Sequence, residues 1–289
     1  MKSLTYLLLF VSLFFLTPTL ESQPLYKNPD ASVEDRVEDL LNRMSVYEKI
    51  GQMTQLNITL INPSWDQNDV VLAEDEARGL IRDHHIGSFL NGGAVPPEQW
   101  FEYMDGLTRL AVEESRLEIP IIYGIDHVHG ANYLSGSTIF PQNINLGATF
   151  NRKHSYQTGW VTAYETADLG HHWNFAPILD LGVNPIWARF WETYGEDPYL
   201  ASELGQAYVK GFQENDQIEP YKLAATAKHF LAYSDPKSGW AIGPRMGKPH
   251  VWTGYIGHPH DRGDHRWLRL VIDQQYGGKH VLGHFRIEL

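Results

Sequence analysis

The sequence contains no cysteine. That excludes a disulfide framework and any Cys-ligated metal centre, and it leaves stability to a packed hydrophobic core. Positive charge is also scarce. The formal net charge is −12, which argues against nucleic acid, whose phosphates need clustered Lys and Arg, and against an anionic membrane surface. No Gly-x-Gly-x-x-Gly follows a strand pattern and no phosphate-binding loop is present, so a nucleotide fold is disfavoured. Long apolar runs are missing too: the most extended, Leu4–Leu16, falls short of the ~20 residues a membrane helix needs. Preceded by Lys2 and followed by Thr17, Pro18, Thr19 and Ser22, it has the charged, apolar and small-residue sections of a secretory signal peptide, a retained N-terminal anchor being the alternative. Residues 1–22 are therefore set aside as a signal peptide. The mature chain is expected to be secreted, extracellular or periplasmic, with no membrane attachment once the signal is removed.

What remains is ordinary for a globular chain, 43% hydrophobic and without low-complexity segments, and long enough for one large domain or two small ones. Aromatics make up 12% of it, with nine Trp. Such a count suits a site that stacks on the flat apolar faces of sugar rings, although Trp also fills cores. Asn57-Ile58-Thr59 is an N-glycosylation triplet should the source be eukaryotic.

The spacing of apolar residues predicts a helix over Ser32–Arg43, with Val33, Val37, Leu40, Leu41 and Met44 forming a face that should pack against a larger body. Ser45-Val46-Tyr47-Glu48 has the spacing of a capping box and starts a second helix ending near Gln52–Thr54. Glu74–His84 is a further amphipathic candidate, with His84 and His85 at its end. Ile86–Leu90 follows as a strand turning at Asn91-Gly92-Gly93. Pro97–Glu114 is helical, with Trp100, Phe101, Met104, Leu107 and Leu110 on its apolar side, and Ile119–Ile125 is a buried strand closed by Asp126. Asn151–Leu169 and Pro198–Gln213 are two more helices, the second with Tyr199, Leu204, Tyr208 and Phe212 on one side. Leu223–Phe230 is a strand ending at Lys228-His229. Strands alternating with helices in this way imply parallel pairing and an α/β architecture.

Chemistry concentrates between Trp173 and Pro198. Asn174–Leu179 is predicted as a short buried strand with Asp180 at its C-terminal end, and the loop beyond carries Trp187, Arg189, Trp191, Glu192, Glu196 and Asp197. A strand end opening into such a loop is where α/β barrels place active residues. Singly, Asp126, Asp180, Arg189, Lys228 and His229 would be capping or surface groups. A barrel, however, brings all its strand ends to one face.

The stretch PILDLGVNPIWARFWETYGEDP, beginning at Pro177, resembles the segment that glycoside hydrolase family 3 enzymes, the β-glucosidase family, carry in their first domain. The resemblance extends to YGIDHVHGANYL at Tyr123–Leu134, IFPQNINLGATFN at Ile139–Asn151 and AATAKHFLAYSDPKSG at Ala224–Gly239, in the family's order and spacing, and covers roughly Val33 to Gly239. It implies a (β/α)8 TIM-like barrel, incomplete here at its C-terminal end, over residues 23–239. It also implies retaining hydrolysis of terminal β-linked glucose or a related sugar, without metal or organic cofactor. The family's sugar-holding positions are matched by Asp126, Arg189, Lys228 and His229. Glu192 either joins them or orients Arg189. A retaining enzyme needs two carboxyl groups ~5–5.5 Å apart. The family's nucleophilic Asp lies on a strand after the Lys-His-Phe motif and its acid/base residue comes from beyond the barrel; neither is recognisable in this chain. Asp180, Glu192 and Glu196 are in the right neighbourhood but do not occupy those motif positions.

From Trp240 the resemblance stops. Where the family continues with an Asp-Arg pair, Trp240-Ala241-Ile242-Gly243-Pro244 follows. Over 240–289 the basic residues Arg245, Lys248, Arg262, Arg266, Arg269, Lys279 and Arg286 outnumber Asp261, Asp264, Asp273 and Glu288, and only Trp267–Ile272 is a plausible apolar run. That tail is expected to be foreign to the family, the product of a shifted frame or mis-joined exon, a basic tail that binds a partner being the alternative, and the chain as it stands not to hydrolyse glycosides. Two other classes compete. A non-catalytic sugar-binding protein would keep Asp126, Arg189, Lys228 and His229 and lack the carboxylate pair. A metal-dependent hydrolase could use His127 and His129 with His171-His172, but Gly124, Gly130, Ala131 and Asn132 fit the sugar-hydrolase motif better.

Overall fold

The computed structural model describes residues 23–64, 69–216, 223–229 and 233–234, together with the backbone of three strands between 250 and 288. The signal-peptide stretch, Phe230 and Trp240–Pro244 lie outside the described residues. Helix α1 (Val33–Arg43) begins where Ser32 accepts the Asp35 N–H, and α2 (Val46–Gln52) carries both halves of the capping box at Ser45 and Glu48. Strand β1 (Gln55–Asn57) follows, then α3 (Glu74–Arg78), which widens into a π-turn at Gly79–Asp83. Strand β2 (Ser88–Leu90), helix α4 (Pro97–Glu114) and strand β3 (Ile122–Ile125) form the next unit. Pro97 opens α4, where its missing N–H has no partner to lose. Two helices, α5 (Asn143–Ala148) and α6 (Arg152–Ala167), lead to β4 (Trp173–Asn174), and α7 (Pro198–Gln213) leads to β5 (Ala224–Ala225).

These five strands make one parallel sheet in the order β1-β2-β3-β4-β5. The order is sequential and never reverses, unlike that of a doubly wound sheet. The fold is thus α/β with a parallel sheet. The strands are shorter than the apolar runs that announce them, because prolines interrupt the ladder. Pro120 precedes β3, and Pro177 supplies no N–H after β4. Pairing resumes beyond Pro177 at the Ile178–Lys228 bridge, where the Leu179 N–H donates to the Lys228 carbonyl at 2.6 Å.

One core lies between α3, α4 and the first three strands, centred on Ile61, Phe89, Trp100, Leu107, Leu110, Tyr123 and Ile125. A second, with Ala163, Ala176, Tyr208, Phe212 and Leu223, lies under α6 and α7. These two helices approach closely through glycine: a Cβ on Gly159 would stand 2.2 Å from the Tyr208 carbonyl oxygen, and one on Gly211 2.1 Å from that of Tyr156. Two expected core residues and one expected core face are on the surface instead. Phe101 on α4 and Tyr199 on α7 point outward, and α1 buries none of its residues. The tail forms a separate three-stranded antiparallel sheet, β6 (His250–Ile256), β7 (Leu268–Gln274) and β8 (Phe285–Glu288). Only the middle strand falls on the expected apolar run. The outer two draw on β-branched and aromatic residues interleaved with polar ones, such as Val251, Trp252, Tyr255, Phe285 and Ile287.

Candidate functional site

At the C-terminal ends of β3, β4 and β5 the charged residues flagged in the sequence meet. Asp126 directly follows β3 and forms an ion pair with Lys228, which lies three residues past β5; the Lys228 side chain is 14% exposed and that of Asp126 36%. The carboxylate therefore stays open to solvent while the ammonium is largely enclosed. Lys228 is joined to His229 by a cis peptide bond, and His229 turns toward a second group of partners. Its main-chain N–H donates to Asp180 Oδ2 at 2.9 Å, and its Nδ1 lies 2.7 Å from the same oxygen. Its Nε2 is 3.2 Å from Arg189 Nη1. A guanidinium can only donate, so Nε2 accepts and the ring proton sits on Nδ1, given to Asp180.

Arg189 is held from its other side by Glu192, in a two-point pairing of Nε to Oε1 at 2.7 Å and Nη2 to Oε2 at 2.5 Å. Burial works against the Arg189 charge, yet the Glu192 hydrogen bonds outweigh it and hold the guanidinium above its ordinary value. The loop bearing both residues is braced. Trp187 is buried as its anchor, Phe190–Glu192 forms a 3-10 turn, and Asn143 Nδ2 on α5 donates to the Glu192 carbonyl at 3.0 Å. Tyr233 lines the same side, its ring 5.7 Å from the Arg189 guanidinium, 4.8 Å from the His229 ring and 5.7 Å from that of Trp187.

The structure thus forms two polar groups, Asp126 with Lys228 and Asp180 with His229, Arg189 and Glu192, joined through the Lys228–His229 peptide bond. Glu192 takes up the orienting of Arg189. Glu196 and Asp197 stand apart: Glu196 is exposed, and Asp197 caps α7 by accepting the Tyr199 and Leu200 N–H groups. One pairing and one participant were not foreseen from the sequence. Asp180 was placed at a strand end, but its partner, His229, is 49 residues away and no local pattern announces that pairing. Tyr233, inside the Ala224–Gly239 motif, was not singled out.

The histidines considered as metal ligands have another disposition. His127 and His171 are fully buried, Nε2 of the first 3.3 Å from Nδ1 of the second. Burial pushes the His127 imidazole down to about 3, and burial together with the neighbouring histidines pushes His171 well below its usual range. His129 is turned to the Phe140 carbonyl, and the Tyr123 N–H donates to His172 Nδ1. Among the described residues no group of three or more His, Asp or Glu side chains could hold a metal ion, and no helix is long and apolar enough to cross a membrane.

Residues 45–248 match the glycosyl hydrolase family 3 N-terminal domain. Over 218 residues the chain is 40% identical to a lysosomal β-glucosidase of Dictyostelium discoideum, covering 70% of this chain and 26% of that one. A periplasmic β-glucosidase of Salmonella typhimurium is 33% identical over 221 residues, covering 75% and 26%. Among solved structures, the β-glucosidase of Listeria innocua in complex with glucose superposes with a TM-score of 0.58 at 33% identity, over 72% of this chain and 28% of that one; the same enzyme has been solved with isofagomine. The chain spans about a quarter of the length of the curated relatives it matches.

Proposed function

The chain belongs to glycosyl hydrolase family 3, and on that premise we propose that it holds a terminal β-linked glucose or related sugar against Asp126, Lys228, His229 and Arg189. The observation that carries this reading is that the Asp126–Lys228 pair beyond β3 and β5 and the His229–Arg189 pair, with Arg189 on the loop after β4, are brought side by side by the Lys228–His229 peptide bond. A pyranose presents a ring of hydroxyls, each both donor and acceptor. A half-exposed carboxylate beside an enclosed ammonium offers one acceptor and one donor to adjacent hydroxyls, at about 1.5–3 kcal/mol for each hydrogen bond to a charged group. The two-point Glu192 pairing leaves Arg189 rigid, so less freedom is lost when a ligand docks.

The sequential order of the parallel sheet supports a (β/α)8 barrel over 23–239, of which the described residues supply five strands. In the family reading, hydrolysis is a retaining double displacement, and the sugar half of the site is what this chain contributes. In this reading the chain binds without turnover, because neither the family's nucleophile position nor its acid/base position is recognisable in it; the carboxylates of the site serve as partners to Lys228, His229 and Arg189. The family match reaches residue 248, beyond Trp240, so the reading of a tail foreign to the family is kept for 249–289 alone. The signal-like stretch at 1–22, and relatives named as periplasmic and lysosomal, support an exported protein whose partner is a small saccharide.

The test is calorimetric titration of the purified chain with isofagomine, alongside an assay for cleavage of an aryl β-glucoside. Binding that disappears in Asp126→Ala and Lys228→Ala, with unchanged circular dichroism and no cleavage by the parent, is the expected result. Unchanged affinity in both variants would overturn the sugar site, and turnover by the parent would overturn its inactivity.

A further inference from the structure

Asp126 lies one residue beyond the end of β3, where the strand ladder gives out. The last rung is the Phe175 N–H to the Ile125 carbonyl at 2.9 Å. Past it, the main chain of Asp126-His127 would be unpaired on the β4 side. A side chain takes the place of the missing strand. Asn174 on β4 accepts the His127 N–H through Oδ1 at 2.9 Å and donates through Nδ2 to the His127 carbonyl at 2.9 Å. The same Nδ2 reaches Tyr208 Oη at 3.1 Å, and that hydroxyl points back to the His127 carbonyl at 3.5 Å. Asn174 and His127 are 0% exposed and Tyr208 1%, so no water replaces these bonds.

We infer that Asn174, backed by Tyr208, is a positioning residue that sets the Asp126 carboxylate against Lys228. This rests, for its bearing on sugar affinity, on the site proposed above. The reasoning is one of donors and acceptors. At neutral pH a carboxamide offers one of each, placed as the backbone of a neighbouring strand would place them for the N–H and C=O of a single residue. Pinning both main-chain groups of His127 fixes the peptide linking it to Asp126, and so the direction in which the Asp126 side chain leaves the backbone. Tyr208 is held for this task by the glycine-mediated contact of α6 with α7.

Three variants test it, each read by isofagomine titration and by the acetylation rate of Lys228 with acetic anhydride, followed by mass spectrometry. Exposed Lys210 serves as the internal standard. Asn174→Asp removes the donor and should weaken isofagomine binding ten- to hundred-fold at neutral pH while accelerating Lys228 acetylation several-fold. The introduced carboxyl is buried without a cation and retains its proton to higher pH than usual, and once protonated it again has one donor and one acceptor. The affinity ratio between Asn174→Asp and the parent should therefore return toward one as pH falls, a recovery that mere loss of packing would not produce. Should Asn174→Asp not fold, Tyr208→Phe, which removes one hydroxyl, is expected to give a two- to five-fold loss with the same rise in labelling. Asp126→Ala separates the two ideas. If it does not alter isofagomine binding, the sugar site fails and acetylation alone judges Asn174. If it abolishes binding while folded Asn174→Asp and Tyr208→Phe retain parental affinity and Lys228 labelling, the positioning role is wrong.

Discussion

The two flanks of the parallel sheet are built differently. On the β3–β5 side, the ends of strands distant in sequence bring opposite charges together, and the key polar groups have specific partners: Asp126 in Lys228, His229 in Asp180 and Arg189, Asn174 in the main chain of His127. On the β1 side, α1 and α2 show solvent an apolar surface, with Val33, Val37, Leu41, Val46, Tyr47, Ile50 and Met53 all exposed. The first side joins charged groups from different strand ends; the second is held by its caps and by surface links such as Glu48–Arg116, Lys27–Glu118 and the Tyr26 hydroxyl to the Leu117 carbonyl, while its helices leave an apolar face open. A polar group whose partners lie on three strands is informative about function. An amphipathic helix with an uncovered face is informative only about how much of a larger body is present.

The comparison breaks most sharply at Asp126. Asp126→Ala removes a ligand-facing carboxylate and leaves the enclosed Lys228 ammonium without its counter-ion, so isofagomine affinity should fall by about 100-fold or more, ~3 kcal/mol. Equivalent removal of charge on the other flank, Glu48→Gln, should leave affinity as it was. If both variants weaken binding alike, the two sides are coupled and the contrast is false.

Acid separates the flanks next. The folded protein holds His127 neutral down to about 3, whereas the unfolded chain takes up that proton near 6.5. Between those values the unfolded state binds more protons, so stability contributed by the buried pair is intact above about pH 6.5 and is lost as pH falls, at up to ~1.4 kcal/mol per unit. Glu48 behaves in the same sense but lower. Hydrogen bonds from Arg116, with burial opposing, bring it from 4.5 to about 2, so its contribution is lost only as pH falls below about 4.5 toward 2. Urea unfolding between pH 7 and 4.5 should show a shallower slope in His127→Leu and the parental slope in Glu48→Gln. Equal slopes in the parent and His127→Leu would mean the imidazole is not buried neutral.

How far the sequence foretold this differs by side. The capping box at Ser45 and Glu48, the limits of Pro97–Glu114 and Pro198–Gln213, and the parallel α/β alternation follow from local signals that nothing overrides. Asp126, Arg189, Lys228 and His229 could be picked out because they match the family's motif positions, their place at strand ends or in the loop after one adding to that. The partnership of Asp180 with His229 and the grip of Asn174 on His127 were not legible, since each is a contact between elements and depends on register rather than spacing. Phe101, Tyr199 and the α1 face were misjudged for the opposite reason. Helical periodicity shows which residues share a side, but whether that side is covered depends on what packs there.

A smaller effect tests the caps. The Ser45 hydroxyl accepts the Glu48 N–H at 3.2 Å while the Glu48 carboxylate accepts the Ser45 N–H at 2.8 Å. Ser45→Ala should lower stability by about 1 kcal/mol, measured by urea unfolding, with isofagomine affinity unchanged. A drop in affinity would show that the β1 flank transmits to the site.

The smallest effect is expected on the uncovered helix. Val33, Val37 and Leu41 recur every fourth residue on α1 and are 66%, 49% and 41% exposed. Burying a valine side chain is worth about 1.5–3 kcal/mol, and little of that is realised where half or more of the residue meets water. Val37→Lys should therefore change unfolding free energy by no more than ~0.5 kcal/mol, as is usual for surface substitutions, and should raise solubility by breaking the apolar stripe. The same substitution at Leu107 on α4, which is fully buried, would place an unpaired charge in the core and should prevent folding. Urea titrations of Val37→Lys and the parent decide the matter. A loss above about 1.5 kcal/mol would mean that the α1 face is covered in solution, and the difference between the two flanks would then be one of chemistry alone and no longer one of burial.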